Sequence, residues 1–370
     1  MNIIIFIIVL AILVLVHEFG HFIVAKKSGI KVTEFGLGFP PKLWSKTYGE
    51  TEYSINAIPF GGFVRIFGED PNDESLSGPE RARAISSKPR YIQAAVLVAG
   101  VFFNILFAWL LISTGYLIGL PSSADHIGPG TVENIRLTVT SVSPDSPASK
   151  STLKAGDQII SLSSESKNKN KDYLTEEITA SNVSNFIEAH GKEGVAFSLL
   201  RAGESVTTEP IIGVEGIIPG KVAIGIAMDN IGTLRLPFFT AFYQGAKDVG
   251  NLFVMTASGL WDLLSKAFVG KANLSEVTGP VGIVGLVGEV TKLGFVYLMS
   301  FTALISINLA VINLFPFPAL DGGRLVIVAI EAIIRRPISP KITNVLNGVG
   351  FAALILLMLV VTYNDVMNLF

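Results

Sequence analysis

Residues 2–21, Asn2-Ile3-Ile4-Ile5-Phe6-Ile7-Ile8-Val9-Leu10-Ala11-Ile12-Leu13-Val14-Leu15-Val16-His17-Glu18-Phe19-Gly20-His21, run from an uncharged apolar stretch straight into three ionisable side chains. A bilayer core takes roughly 20 helical residues, so the run over residues 2–25 is long enough to span one. With no Lys or Arg ahead of it and no small-x-small cleavage site behind it, it reads as a membrane helix rather than a secretory signal. Positions four apart share one helix face, so His17 and His21 can hold one cation while Glu18 faces water beside it. That is the arrangement of zinc hydrolases, in which the metal acidifies water and a carboxylate takes its proton. The competing reading is a structural cluster of satisfied histidines. Ionisable groups at membrane depth are costly, which favours the functional one.

Three further segments, over residues 92–120, 293–314 and 345–363, have the length and apolarity of spans. The whole chain agrees: 50% of its 370 residues are hydrophobic and 16% charged, with a mean hydropathy of +0.55. This argues against a disordered or purely soluble chain. A net charge of −2 provides no basic field for nucleic acid, so no such partner is expected. The chain has no cysteine, leaving histidine and oxygen as the only metal ligands.

Basic residues set the orientation. Lys26, Lys27, Lys31, Arg81, Arg83, Lys88 and Arg90 lie between the first and second spans, and Arg335, Arg336 and Lys341 between the third and fourth. These connections are expected in the cytoplasm, with both termini outside. The long connection over residues 121–237 then lies outside, and it holds 14 acidic against 10 basic residues. Within it, residues 137–142 alternate as a strand, residues 153–160 form a turn entering a second strand, and residues 181–190 suit a helix. The polar stretch over residues 163–173 reads as a loop, or as a basic binding tract.

Two more segments resist a simple assignment. Residues 31–67 on the cytoplasmic side are apolar, turn-rich strand candidates, tolerable at membrane depth only against protein or a wet cavity. Residues 236–290 form an amphipathic segment suited to the outer interface, with a fifth span as the alternative.

A catalytic zinc site commonly has three protein ligands. At about 1.5 Å per residue, His17 lies about 22 Å below Asn2, near the cytoplasmic side. His126 and His190 are both in the outer segment and so out of reach. Asp321 ends the uncharged stretch of the third span at matching depth, after Pro316 and Pro318 have broken the helix. It can be the third ligand, or simply the N-cap of the next apolar run.

His17-Glu18-x-x-His21, the stretch Asn313-Leu314-Phe315-Pro316-Phe317-Pro318-Ala319-Leu320-Asp321-Gly322-Gly323, and the order of segments together resemble the bacterial site-2 proteases, including regulators of sigma-E. Ser146-Pro147-Ala148 followed by Leu153-Lys154-Ala155-Gly156-Asp157 is similar to a PDZ domain, a module that captures extended peptides by strand addition. The resemblance implies a polytopic α-helical membrane protein with four transmembrane helices, a membrane-associated β-loop and an inserted extracytoplasmic PDZ-like α/β domain. The implied parts are a membrane core over residues 1–120 and 291–370, a PDZ-like domain over residues 121–235 and the interfacial segment over residues 236–290.

It further implies one Zn2+ on His17, His21 and Asp321, with Glu18 as the catalytic acid and base. Asn313, Pro316, Pro318, Gly36 and Gly38 would hold substrate. The implied reaction is cleavage of transmembrane segments in the bacterial inner membrane after a first cut outside. An anti-sigma factor or a signal-peptide remnant would be the substrate, an extracytoplasmic peptide the ligand of the PDZ-like domain, and lipid the surroundings. Gly279-Pro280-Val281-Gly282-Ile283 also matches a family stretch, without an assigned role. Two features depart from the family: there is room for one PDZ-like domain where two are common, and Pro40 stands where some relatives have glycine. A membrane-anchored peptide adaptor and a metal transporter are the rival readings, and neither gives Glu18 a task.

Overall fold

The computed structural model describes residues 2–69, 78–125, 128–165, 171–270 and 278–367. The chain divides into two compact units, Met1–Ser113 with Phe242–Val290 and Met299–Phe370, and Thr114–Ala241 with Thr291–Leu298.

Helix α1 (Asn2–Lys27) begins the first unit and ends on Lys26 and Lys27, whose charges suit the negative end of the helix dipole. Its buried residues include Val9, Leu13, His17, Gly20 and His21, a stripe at helical spacing. Ile3, Ile4, Ile8, Ile12, Leu15 and Phe19 are exposed, as expected of side chains facing lipid. Lipid is as apolar as Leu, so helices here associate through close packing rather than water exclusion. Gly20 provides the closest approach: a Cβ there would overlap the Ala99 carbonyl oxygen and lie 3.0 Å from Gly100 Cα. The partner helix is α2 (Arg90–Ile118).

Between them, β1 (Val32–Tyr48) and β2 (Thr51–Ile66) form an antiparallel pair joined by a tight turn at Tyr48↔Thr51. Both strands bend, so Gly36 lies opposite both Ser54 and Phe63, and Leu37 opposite both Ile55 and Gly62. The bend in β1 falls at Gly38, whose φ of +81° is a left-handed conformation that favours glycine. A side chain there would also press on the Ile58 carbonyl, 2.6 Å away. Ala25, Ile30, Val32, Ile66, Ile85 and Val96 pack into one cluster that seats the hairpin base against α1 and α2.

The second unit is built on β3 (Leu120–Ser123), β4 (Val132–Val142), β5 (Gln158–Glu165), β6 (Lys171–Leu174), β7 (Val195–Arg201), β8 (Glu204–Thr207) and β11 (Ile226–Leu234). These form a seven-stranded sheet of order β3-β11-β4-β5-β7-β8, with β6 paired to β5. β9 (Val214–Ile218) and β10 (Lys221–Ala223) form a separate pair. Helix α3 (Ala180–His190) is capped by Thr179, whose side chain accepts from the Asn182 amide. Val183 and Ile187, four apart on α3, pack into a core with Val139, Leu162, Phe197 and Leu199. The fully buried Asp157 is held by a two-pronged ion pair from Arg201, at 2.6 and 2.7 Å, and by the Lys154 amide. The polar stretch read as a loop supplies the end of β5 and part of β6 in the described residues; residues 166–170 lie outside them.

The remaining helices are α4 (Phe238–Phe268), α5 (Pro280–Leu293), α6 (Phe295–Leu314), α7 (Asp321–Ile334) and α8 (Pro340–Met367). Among the described residues, α1, α2, α6 and α8 are the four helices long and apolar enough to cross a membrane. Gly294, at φ +118°, separates α5 from α6, so the apolar run begins its helix at Phe295. Helix α4 packs on α2, where Trp109 Nε1 donates to the Phe242 carbonyl at 2.8 Å, and on α6, where Thr256 Oγ1 is 3.3 Å from Asn308 Oδ1. The Gly279-Pro280-Val281-Gly282 stretch gains a structural role. Asp365 near the end of α8 accepts from the amides of Gly279 at 3.1 Å and Gly282 at 2.9 Å, capping the positive end of α5. A side chain on Gly279 would collide with that carboxylate, at 2.6 Å from Oδ2.

Candidate active site

The first unit brings three potential ligands from both ends of its sequence to one point. His17 Nε2 lies 3.0 Å from Asp321 Oδ2, His21 Nε2 lies 3.2 Å from the same oxygen, and the two Nε2 atoms are 3.2 Å apart. Two imidazole nitrogens and a carboxylate oxygen, within 4.8 Å of one another, suit a divalent cation of borderline softness. The imidazoles are held from behind. His21 Nδ1 donates to the Val96 carbonyl at 2.8 Å, which leaves Nε2 free for a metal. His17 Nδ1 faces the Asn104 side chain at 3.2 Å.

Asp321 owes its position to the turn before it. α6 ends at Leu314, and the chain passes through Phe315–Leu320 with hydrogen bonds from Phe317 to Phe315 and from Leu320 to Phe317. Ala319 takes a positive φ of 75°, and its amide donates to Asn347 Oδ1 of α8. Asp321 is the first residue of α7, with Leu320 at the cap and no side-chain capping bond. Gly322 and Gly323 are required because the turn folds back on them: side chains there would overlap the carbonyl oxygens of Phe315 and Phe317. α7 is fixed further along by ion pairs of Arg324 with Glu69 and of Glu331 with Arg90, each at 2.8 Å. Burial pushes the Asp321 carboxyl up, but the hydrogen bonds from His17 and His21 outweigh it and the net shift is downward. The Glu69 carboxylate beside Arg324 holds that guanidinium in its charged form.

His17, Glu18, His21, Asn313 and Asp321 line a cavity of about 340 Å³, together with Gly61, Gly62, Phe63 and Arg324. A Cβ on Gly62 would stand 3.4 Å from Glu18 Cγ and 3.1 Å from the Gly36 carbonyl oxygen, so the bend of β2 lies directly against the acid. Gly36 and Gly38 sit one strand behind that wall, and Pro316 and Pro318 shape the turn before Asp321; these four do not line the cavity. A larger cavity of about 1400 Å³ shares Glu69, Ile85, Leu97, Ala319 and Arg324 with the smaller one. His190 closes α3 against the Phe186 ring, and His126 lies outside the described residues.

The description "Peptidase family M50" matches residues 5–357. A protein of Clostridium perfringens with a provisional zinc metalloprotease name is 36% identical over 357 residues, covering 96% of this chain and 95% of its own. The zinc metalloprotease RasP of Geobacillus kaustophilus is 30% identical, over 100% of this chain and 98% of its own. RasP of Shouchella clausii is 29% identical, over 99% and 98%. With a match over most of its length and relatives that align from end to end, the chain belongs to peptidase family M50, the site-2 protease family of zinc metalloendopeptidases.

Proposed function

We propose that the protein is an intramembrane endopeptidase that cuts the transmembrane segments of single-span membrane proteins. Zn2+ is held by His17, His21 and Asp321, and Glu18 is the acid and base. The single observation that carries this reading is the meeting of those three ligand atoms within 4.8 Å, beside a cavity that Glu18 lines. Zinc bound there supplies the positive charge that polarises a peptide carbonyl and acidifies water. Glu18 takes the proton of the attacking water and returns it to the leaving amine.

A helical substrate hides its carbonyls in internal hydrogen bonds and must be extended before it can react. The bent β1–β2 hairpin supports strand-like docking of such a segment, with the Gly36–Gly38 backbone behind the wall that Gly61 to Phe63 form. Asn313 contributes a side-chain amide from the cavity wall. Pro316 and Pro318 keep the chain before Asp321 non-helical, so an extended peptide would meet a turn there rather than a helix. The larger cavity beyond Arg324, whose wall includes Arg81, Arg90 and Glu331, is the route for water.

By the charge bias of the connections, both termini and the second unit lie outside the cytoplasm of a bacterial inner membrane. The second unit acts as a PDZ-like module that screens substrates or takes the new C-terminus left by a first cut. An anti-sigma factor or a signal-peptide remnant fits these requirements. Purified full-length protein in detergent with a model transmembrane substrate tests the proposal. Cleavage is expected to stop with a chelator and with Glu18→Gln; equal cleavage by wild type and Glu18→Gln would refute it.

A further inference from the structure

The imidazole of His17 is backed by a side chain that the zinc chemistry leaves without a role. Asn104 is fully buried in α2, within the apolar run Val101-Phe102-Phe103-Asn104-Ile105-Leu106-Phe107. A carboxamide in such surroundings is costly unless its polar atoms are bonded. Its Nδ2 is placed 3.2 Å from His17 Nδ1, and its Oδ1 has no hydrogen-bond partner. The main chain of the same residue is separately engaged, because Ser306 Oγ on α6 donates to the Asn104 carbonyl at 2.8 Å.

The direction in which His17 faces resolves the orphaned oxygen. Nε2 points at Asp321 and at His21 Nε2, so it is the nitrogen offered to a cation. A neutral imidazole that gives Nε2 to a metal carries its hydrogen on Nδ1 and needs an acceptor there. With Nδ2 turned to His17, two donors oppose each other and Oδ1 goes unused. The two ends of a carboxamide are nearly alike in shape, and the hydrogen-bond network decides between them. Rotating the amide by 180° presents Oδ1 to the Nδ1 hydrogen.

We infer that Asn104 is a positioning residue for the metal centre: its side-chain oxygen accepts from His17 Nδ1 and holds the ring with Nε2 toward the metal. The inference rests on the zinc reading above and extends it beyond the ligands. It makes the two histidines equivalent, each held from behind by an oxygen. His21 uses the Val96 main chain, which substitution leaves in place, and His17 uses a side chain, which substitution removes.

The test compares zinc binding by the full-length protein in detergent, through competition with a graded chelator, for wild type, Asn104→Leu, Asn104→Asp and His17→Ala. Thermal unfolding of each zinc-free form is measured alongside. Outer-shell partners of metal-bound histidines typically govern metal affinity by about 10–100-fold. Asn104→Leu is expected to weaken zinc binding by that factor while the zinc-free form unfolds near wild type, since the Ser306 bond to the main chain survives. Asn104→Asp keeps an acceptor and is expected to bind zinc at least as tightly as wild type. Wild-type affinity in Asn104→Leu, with zinc lost in His17→Ala, overturns the role of Asn104 and leaves the zinc reading standing. Equal weakening in Asn104→Leu and Asn104→Asp also overturns it, by pointing to packing. Full zinc binding by His17→Ala overturns both.

Discussion

The Cα of Gly100 faces the imidazole of His21 with no room between them. A Cβ on Gly100 would overlap His21 Nε2 and lie 2.7 Å from both His21 Cε1 and His17 Cε1. The ring cannot swing aside, because Nδ1 is bonded to the Val96 carbonyl. Overpacking in a tight site costs about 1–3 kcal/mol. Here it falls on the two proposed histidine ligands, so Gly100→Ala is expected to fold and to lose zinc affinity by tenfold or more. Wild-type zinc stoichiometry under chelator challenge would contradict this.

The proposed acid and the proposed third ligand are expected to separate experimentally. Glu18→Gln should retain zinc and lose about 10²–10⁴-fold in cleavage rate, the usual contribution of a positioned acid or base. Asp321→Ala should lose the metal itself. Metal analysis beside a cleavage assay distinguishes the two, and zinc retained at full stoichiometry in Asp321→Ala would remove it from the ligand set.

Asp365→Ala removes the acceptor of two amides at the start of α5. Loss of a helix cap costs about 0.5–2 kcal/mol. Thermal unfolding in detergent should show a lowered midpoint, with Asp365→Asn falling between the variant and wild type. An unchanged midpoint in Asp365→Ala would mean that the cap contributes nothing to stability.

Glu50, at the turn of the β1–β2 hairpin, predicts a pH dependence. Hydrogen bonds from Arg83 and Lys26 hold its carboxyl below the ordinary value of 4.5. A group whose folded value is depressed adds stability that is fully present above 4.5 and disappears as pH falls through the folded value. Ion pairs of this exposure contribute about 0.2–1 kcal/mol. The stability difference between wild type and Glu50→Gln should therefore be small near neutrality, shrink with added salt, and close as pH drops below 4.5. A gap that widened on acidification would count against the pair.

Legibility in the sequence followed the range of the interactions. α1 could be read from its composition and the His17–His21 spacing, because both are local. The third span, expected from residue 293, begins at Phe295, and Gly294 marks that start. α8 starts at Pro340 rather than residue 345, as suits a proline in the first helical turn. α5 was hidden, since its start is fixed by Asp365, which lies 86 residues from Gly279. Residue types alone left Asp321 poised between cap and ligand; its convergence with the histidines needs the fold-back over Gly322 and Gly323. Asn104 is hard to single out in the sequence, because one amide hardly alters the hydropathy of a long apolar window. A lone polar residue in a span is nevertheless a signal of function.

The bond between His17 and Asp321 joins positions 304 residues apart. During synthesis α1, with its histidines and acid, reaches the membrane long before Asp321 leaves the ribosome. On the proposed ligand set the incomplete chain holds two donors of three and would not bind metal as the finished protein does, since the free energy of such a site is realised only when the fold brings its donors together. On that assignment hydrolytic capacity would switch on late in biogenesis, and a nascent or truncated chain ending before Asp321 would sit in the bilayer without a working blade.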